Sequence, residues 1–296
     1  MRLPNPQTTR NLSRRLTIAV CAWGFVCVSK AHAAAISDPA QAMETWLRLK
    51  GDSAGAITYE WMTGTAYGLP DEQVSVPLFR IESVTLRQFK KVGVAEFLEQ
   101  TYACRLYRDA SSDVYMSHFV NPLTKLDVPL RVRCSAGQTV RYTSERVSLV
   151  ADIKFESTAL NVPLRLERIN AGDKVILKRE ASSQYRSQAT GELRRETSLD
   201  TFTVDAKALA NPRVTNLPAS YQWTSVTQWM PELGMAGLPG RMLWSVNGRK
   251  YQRSSELPAT FRLALERTVP GALAHRFEWR GMDSNQQLPA RPSAGQ

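Results

Sequence analysis

Ile57-Thr58-Tyr59-Glu60-Trp61-Met62-Thr63-Gly64-Thr65-Ala66-Tyr67-Gly68 is the stretch on which the fold turns. In an extended chain Tyr59, Trp61, Thr63, Thr65 and Tyr67 share one face, while Thr58, Glu60, Met62, Gly64 and Ala66 share the other. Aromatic and β-branched residues at a period of two predict a strand. Gly64 and Ala66 leave room for a neighbouring segment to come close on the second face.

Similar patterns continue on the C-terminal side. Leu78 to Phe89 reads as a strand entered at Pro77, and Val92 to Tyr107 as a long one with Tyr102, Cys104 and Leu106 in phase. Val114 to Val120, Leu126 to Cys134 and Val147 to Phe155 are further strands, with Asn121-Pro122-Leu123-Thr124 as a turn. Val175 to Arg186 and Leu193 to Val204 predict a hairpin around Ala189-Thr190-Gly191. Residues 211–240, rich in Pro, Gly and Trp, read as irregular cover over the core. Arg241 to Val246 and Lys250 to Gln252 predict a last hairpin turning at Asn247-Gly248.

A helix stands near each end. Asp38 caps the first, Pro39 suits its first position and Gly51 its stop, with Met43, Trp46, Leu47 and Lys50 on one stripe and the lysine at its edge. The second runs from Pro258 to about Thr268 and buries Phe261 and Leu265. Many strands between two helices predict a mainly β fold, an antiparallel barrel-like or strongly curved sheet with a short helix near each end.

Residues 1–33 read as a signal peptide. Arg2, Arg10, Arg14 and Arg15 precede the apolar run Leu16 to Val28, and Ala31-His32-Ala33 offers a small-x-small cleavage site. Ser13-Arg14-Arg15-Leu16 resembles the twin-arginine motif, so export by that route and by general secretion both stay open. The expected product is periplasmic or secreted: one β-rich domain over 34–280, then a disordered tail over 281–296. No later apolar run is long enough for a transmembrane anchor. Cleavage removes five basic residues and no acid, so the chain's +11 falls to +6, an ordinary surface balance that speaks against nucleic acid as a partner.

Cys104 and Cys134 remain after cleavage. An oxidising compartment favours one disulfide closing a loop of about 30 residues; two buried thiols that never meet are the alternative. No His, Cys and carboxylate spacing forms a metal site, and no cofactor motif is present. Gly51-Asp52-Ser53-Ala54-Gly55 matches a nucleophile pattern, but its helix-then-strand order is the reverse of a hydrolase elbow. His118, beside Tyr115, is the candidate general base, with Asp113 or Asp127 to orient it; a hydrogen-bonded structural histidine is the competing reading. Trp223, Trp229, Trp244, Tyr221 and Met230 crowd into one region, as walls of an apolar pocket or as core filling.

Asp38-Pro39, Arg48-Leu49-Lys50-Gly51, Tyr59 to Tyr67, Pro77-Leu78-Phe79, Trp229-Met230, Leu238-Pro239-Gly240-Arg241-Met242 and Gly248-Arg249-Lys250 resemble an exported bacterial family known as domain of unknown function 1838. Asn121-Pro122-Leu123-Thr124 is similar to its Asn-Pro-x-Thr-Gly element, with Lys125 where that element has Gly. The resemblance covers about 38–270 and implies export, often by the twin-arginine route, but no activity.

The expected function is binding of a small apolar or aromatic molecule in a Trp/Tyr-lined cavity. Trp61, Tyr67, Trp223 and Trp229 would form its walls, with Asn121 and Arg241 as polar anchors beside Tyr115 and His118. An isomerase, cyclase or lyase using His118 or Tyr115 is the alternative, and an envelope protein-docking module is a third.

Overall fold

The computed structural model describes residues 34–279, apart from 72–73, 131, 138, 150–163, 187–192, 231–232 and 236. All of them belong to one compact unit, Ala31–Gln296. The expected signal peptide and tail lie outside the described residues, as do the Ala189-Thr190-Gly191 turn and the end of the Val147 to Phe155 strand.

The chain begins with β1 (Ala34–Ala35) and α1 (Pro39–Lys50), then three long strands, β2 (Thr58–Pro70), β3 (Val76–Gly93) and β4 (Glu96–Arg108). Short strands follow: β5 (His118–Val120), β6 (Asp127–Pro129), β7 (Arg133–Ala136), β8 (Val140–Thr143), β9 (Val147–Leu149) and β10 (Glu167–Ala171). β11 (Lys174–Arg186), β12 (Leu193–Asp205), the short α2 (Ala206–Ala210), β13 (Ala219–Gln228), β14 (Gly240–Tyr251) and α3 (Ala259–Thr268) complete the unit.

Twelve strands form one antiparallel sheet in the order β1-β10-β11-β12-β13-β14-β2-β3-β4-β8-β9, with β7 also on β4; β5 and β6 pair separately. The sheet is strongly curved and open. Its arms meet through a core: Met43, Trp46 and Leu47 of α1 pack in one buried cluster with Val147 near one edge and with Leu177 and Phe202 from the other. The sheet therefore bends around α1, which plugs its concave side. A second concave cluster forms where Phe119, Val128, Leu233 and Met235 cover Phe79 and Trp244. On the convex side Phe261 and Leu265 of α3 bury Val84, Leu86 and Leu106. Removing a ring such as Phe261 from this contact costs about 3–5 kcal/mol by analogy with other cores.

The helix ends follow their local chemistry. Asp38 accepts the Ala40 amide at 2.9 Å, Pro39 opens α1, and the Gly51 amide returns to Leu47 O at 2.9 Å. Lys50 is not at the stripe's edge as expected. It is buried and pairs with Glu60 at 3.0 Å, because α1 lies inside the sheet rather than on it.

Two further expectations are corrected. Residues 211–240 are not all irregular: Ala219–Gln228 is β13, inside the main sheet. Ser225 and Thr227 are buried on the same side as Tyr221, so small polar groups hid the alternation. Asn247-Gly248 is not a turn but the middle of β14, paired to Gln222-Tyr221 on one side and Thr63-Met62 on the other. Glycine suits this extended position because a Cβ would stand 3.0 Å from Met62 and 3.2 Å from Tyr221. Gly64 does meet a close approach, from the backbone of β14: a Cβ there would lie 2.1 Å from Ser245 O.

Candidate functional site

The curved sheet leaves a cavity of about 300 Å³ between its concave face and the segments that cover it. That volume sits at the lower end of the ~300–1,000 Å³ typical of small-molecule sites. Strand register builds the floor. Thr85, Ala103 and Ser135 align across β3, β4 and β7, and Met62, Ser83 and Arg105 align one row further along β2, β3 and β4. Trp244 and Phe79 flank Ala66 across β14, β2 and β3. Leu130, Met230 and Leu233 cover part of the cavity from above, leaving it partly open to solvent.

The lining is divided almost evenly between apolar and polar surface, with the polar side chains Ser83, Thr85, Arg105 and Ser135 gathered on β3, β4 and β7. Trp244 is buried, and its indole N–H donates to Thr227 Oγ1 at 3.3 Å, so its polar edge is satisfied away from the cavity. Phe79 packs edge-on against Tyr107, Phe119 and Trp244 at 5.3 to 6.1 Å, which fixes the aromatic wall. Met62 and Met230 give the site soft, adaptable surfaces.

Two polar groups stand out. The Ser83 side chain lines the cavity at 5% exposure, and its hydroxyl has no hydrogen-bond partner. An unsatisfied buried hydroxyl costs about 1–3 kcal/mol. The Arg105 guanidinium stands 5.4 Å from the Trp244 ring centroid and pairs with no carboxylate among the described residues. Nearby arginines do pair: Arg87 with Glu60 and Glu99, Arg108 with Glu82, and Arg141 with Glu96.

Beside the cavity lies a closed ionic cluster. Glu60 accepts from Lys50 at 3.0 Å and from Arg87 at 3.0 Å, and Arg87 also bonds Glu99 and, at 2.7 Å, the carbonyl of Lys50. Tyr142 donates to the other oxygen of Glu99. Burial alone would raise the Glu60 carboxyl, but Lys50 and Arg87 outweigh it and hold it down to about 2. Burial and the neighbouring Glu99 push the Tyr142 phenol well above its usual range. Lys50, Glu60, Arg87 and Glu99 each have a charged partner, so this is a scaffold that docks α1.

The residues singled out in the sequence are dispersed. Trp61 lies on the convex face under α3, its indole donating to Glu82 Oε1 at 3.0 Å. Tyr67 is half-buried on β2 and lines no described cavity. Trp223 bridges the two concave clusters, and Trp229 packs over Gly68 and Gly240; neither reaches the cavity. Asn121 is fully buried: its amide donates to Leu233 O at 2.8 Å, and its Oδ1 accepts from the Leu123 amide at 2.8 Å. It pins the β5–β6 turn to the covering segment. Arg241 is exposed.

Tyr115 donates to Glu82 at 2.6 Å and accepts from Arg108 at 2.7 Å. Burial and Glu82 raise its phenol, so it is held as a donor. The His118 side chain is 61% exposed, with Nδ1 3.5 Å from Asp127. Neither Tyr115 nor His118 is among the cavity walls. Ser53 sits in the loop after α1 and donates to Thr215 O at 3.3 Å. Residues 221–230 are mostly sheet, with Tyr221 and Thr227 buried, and present no contiguous apolar patch. Cys104 and Cys134 form a disulfide joining β4 to β7.

Arg105, Ser83 and Met62 lie on the face opposite to Trp61 and Cys104, and it is this face that encloses the cavity. Tyr102, Cys104 and Leu106 do face a core, but it is the convex one under α3. β4 is covered on both faces, so alternation marks two buried sides without saying which encloses space.

The family profile described as protein of unknown function (DUF1838) matches residues 55–276. No curated protein matches the chain. Among solved structures the chain is similar to Ail, the attachment invasion locus protein of Yersinia pestis, at 8% identity over 67% of this chain and 99% of that one. The TM-score is 0.19, too low to carry any argument. The profile spans about three quarters of the sequence and its match includes the strands that build the cavity floor, so the chain belongs to the DUF1838 family.

Proposed function

We propose that this is an exported protein that binds a small, largely apolar molecule between the concave face of its sheet and the covering segments. The observation that carries the reading is the cavity itself: about 300 Å³, walled by Met62, Phe79, Leu130, Met230, Leu233 and Trp244. A space of this size with aromatic walls and a few polar groups on one side is the usual form of a ligand site. The basic start and apolar run of residues 1–33 support export, and the disulfide fits an oxidising compartment. Tyr115 and His118 stand outside these walls and take no part in the binding.

The test is titration of the purified protein with the neutral fluorophore N-phenylnaphthylamine. The expected result is a saturable rise in emission with quenching of tryptophan fluorescence, abolished by Ala103→Phe, which fills the cavity from its floor. Emission that rises without saturation, or is unchanged in Ala103→Phe, overturns the proposal.

A further inference from the structure

Taking the cavity as a ligand site, we infer that its ligand carries a carboxylate, received by the Arg105 guanidinium and the Ser83 hydroxyl. Ser83 and Arg105 are register partners on β3 and β4, so their side chains leave the same face of the sheet side by side. Both line the cavity. Ser83 is 5% exposed with an unpartnered hydroxyl. Arg105 is half-buried with no carboxylate partner among the described residues, although its neighbours on these strands have one. A charge partly withdrawn from water is ordinarily paired. The carboxylates nearest along β2 and β3 are already engaged, Glu60 by Lys50 and Arg87 and Glu82 by Arg108.

Trp244 holds the guanidinium by its ring face, which leaves the planar fork of N–H donors free for a bidentate acceptor. Thr85 and Ser135 add hydroxyls on the row beside Ser83 and Arg105. Among the described side chains the Arg105 guanidinium stands beside hydroxyls and apolar walls, an arrangement that suits a negative group on an apolar body. An amine would meet like charge. The ligand class is therefore a small apolar or aromatic carboxylic acid.

The experiment compares naphthoate with its neutral isostere naphthamide as displacers of bound N-phenylnaphthylamine. In the unaltered protein naphthoate is expected to displace at roughly tenfold lower concentration. Arg105→Met should erase that preference while leaving fluorophore binding in place. Arg105→Lys should keep part of it, since the charge remains and the fork is lost. Ser83→Ala should reduce it by a smaller factor. Equal displacement by the two compounds in the unaltered protein overturns the carboxylate inference and leaves the apolar-cavity reading standing. A preference that survives Arg105→Met also overturns it. Absence of any saturable fluorophore binding removes the cavity reading and this inference together. Unchanged far-ultraviolet circular dichroism of each variant shows that the fold is retained.

Discussion

Lys125 is a non-glycine residue in the left-handed region, at φ 63°, on the tight connection from β5 to β6. Its amide returns to Asn121 O at 2.8 Å, so the turn geometry is set by the buried asparagine rather than by the lysine. Residues with a Cβ pay for this conformation by about 1–2 kcal/mol, a strain that glycine avoids. Glycine also adds freedom to the unfolded chain, which offsets part of the gain. Lys125→Gly is expected to stabilise the protein by about 0.5–1 kcal/mol, read as a higher urea midpoint at unchanged slope. A lower midpoint would mean that the exposed lysine contact to Pro122 O contributes more than the backbone strain costs. The same residue shows how local chemistry is read from sequence: Asn-Pro-x-Thr predicted the turn, and the structure places it between β5 and β6.

At the scale of elements, the decisive contact joins the C-terminal end of α1 to β2, β3 and β4 through Lys50, Glu60, Arg87 and Glu99. Glu60 is held to about 2, below its ordinary 4.5, so the unfolded chain takes up this proton at higher pH than the folded one. Stability from this group is fully present above about pH 4.5 and is lost as pH falls towards 2. Urea midpoints measured from pH 5 downward should decline through that window, by an amount on the order of a few kcal/mol. Glu60→Gln should flatten that part of the profile while lowering stability at neutral pH, because Lys50 and Arg87 would lose a buried countercharge. A wild-type profile that stays level to pH 3 would show that the cluster does not dock the helix. None of these four residues carried a functional signal in sequence, since pairing between a helix end and three strands depends on the sheet closing around that helix.

For the whole molecule, the disulfide decides how much of the cavity floor is held in place. Cys104 and Cys134 are 30 residues apart and join the short β7 to the long β4 directly across the register. Ser135 follows Cys134, and Arg105 follows Cys104, so the cross-link fixes both polar sides of the cavity. Closing a loop of this length stabilises by about 3–4 kcal/mol in the chain-entropy model. Reduction with dithiothreitol, or the double substitution Cys104→Ser and Cys134→Ser, should lower unfolding free energy by about that amount. An unchanged urea midpoint on reduction would show that the sheet holds β7 without covalent help.

Sequence alone determined what depends on neighbours along the chain. Caps and proline placement located α1 and α3, and period-two alternation located β2, β3, β11 and β12, because both signals arise within one element. The fold class followed from their number and order, and the curved antiparallel sheet agrees with it. Tertiary structure decided the rest. Asn247-Gly248 has the residues of a tight turn, yet strands on both sides hold it extended. Alternation divides a strand into two faces but is silent about which becomes concave when eleven other strands curve with it. Pairing between β3 and β4 brought Ser83 beside Arg105, and packing on Trp244 oriented the guanidinium. Those contacts join residues more than twenty positions apart, where only register and burial choose the partner.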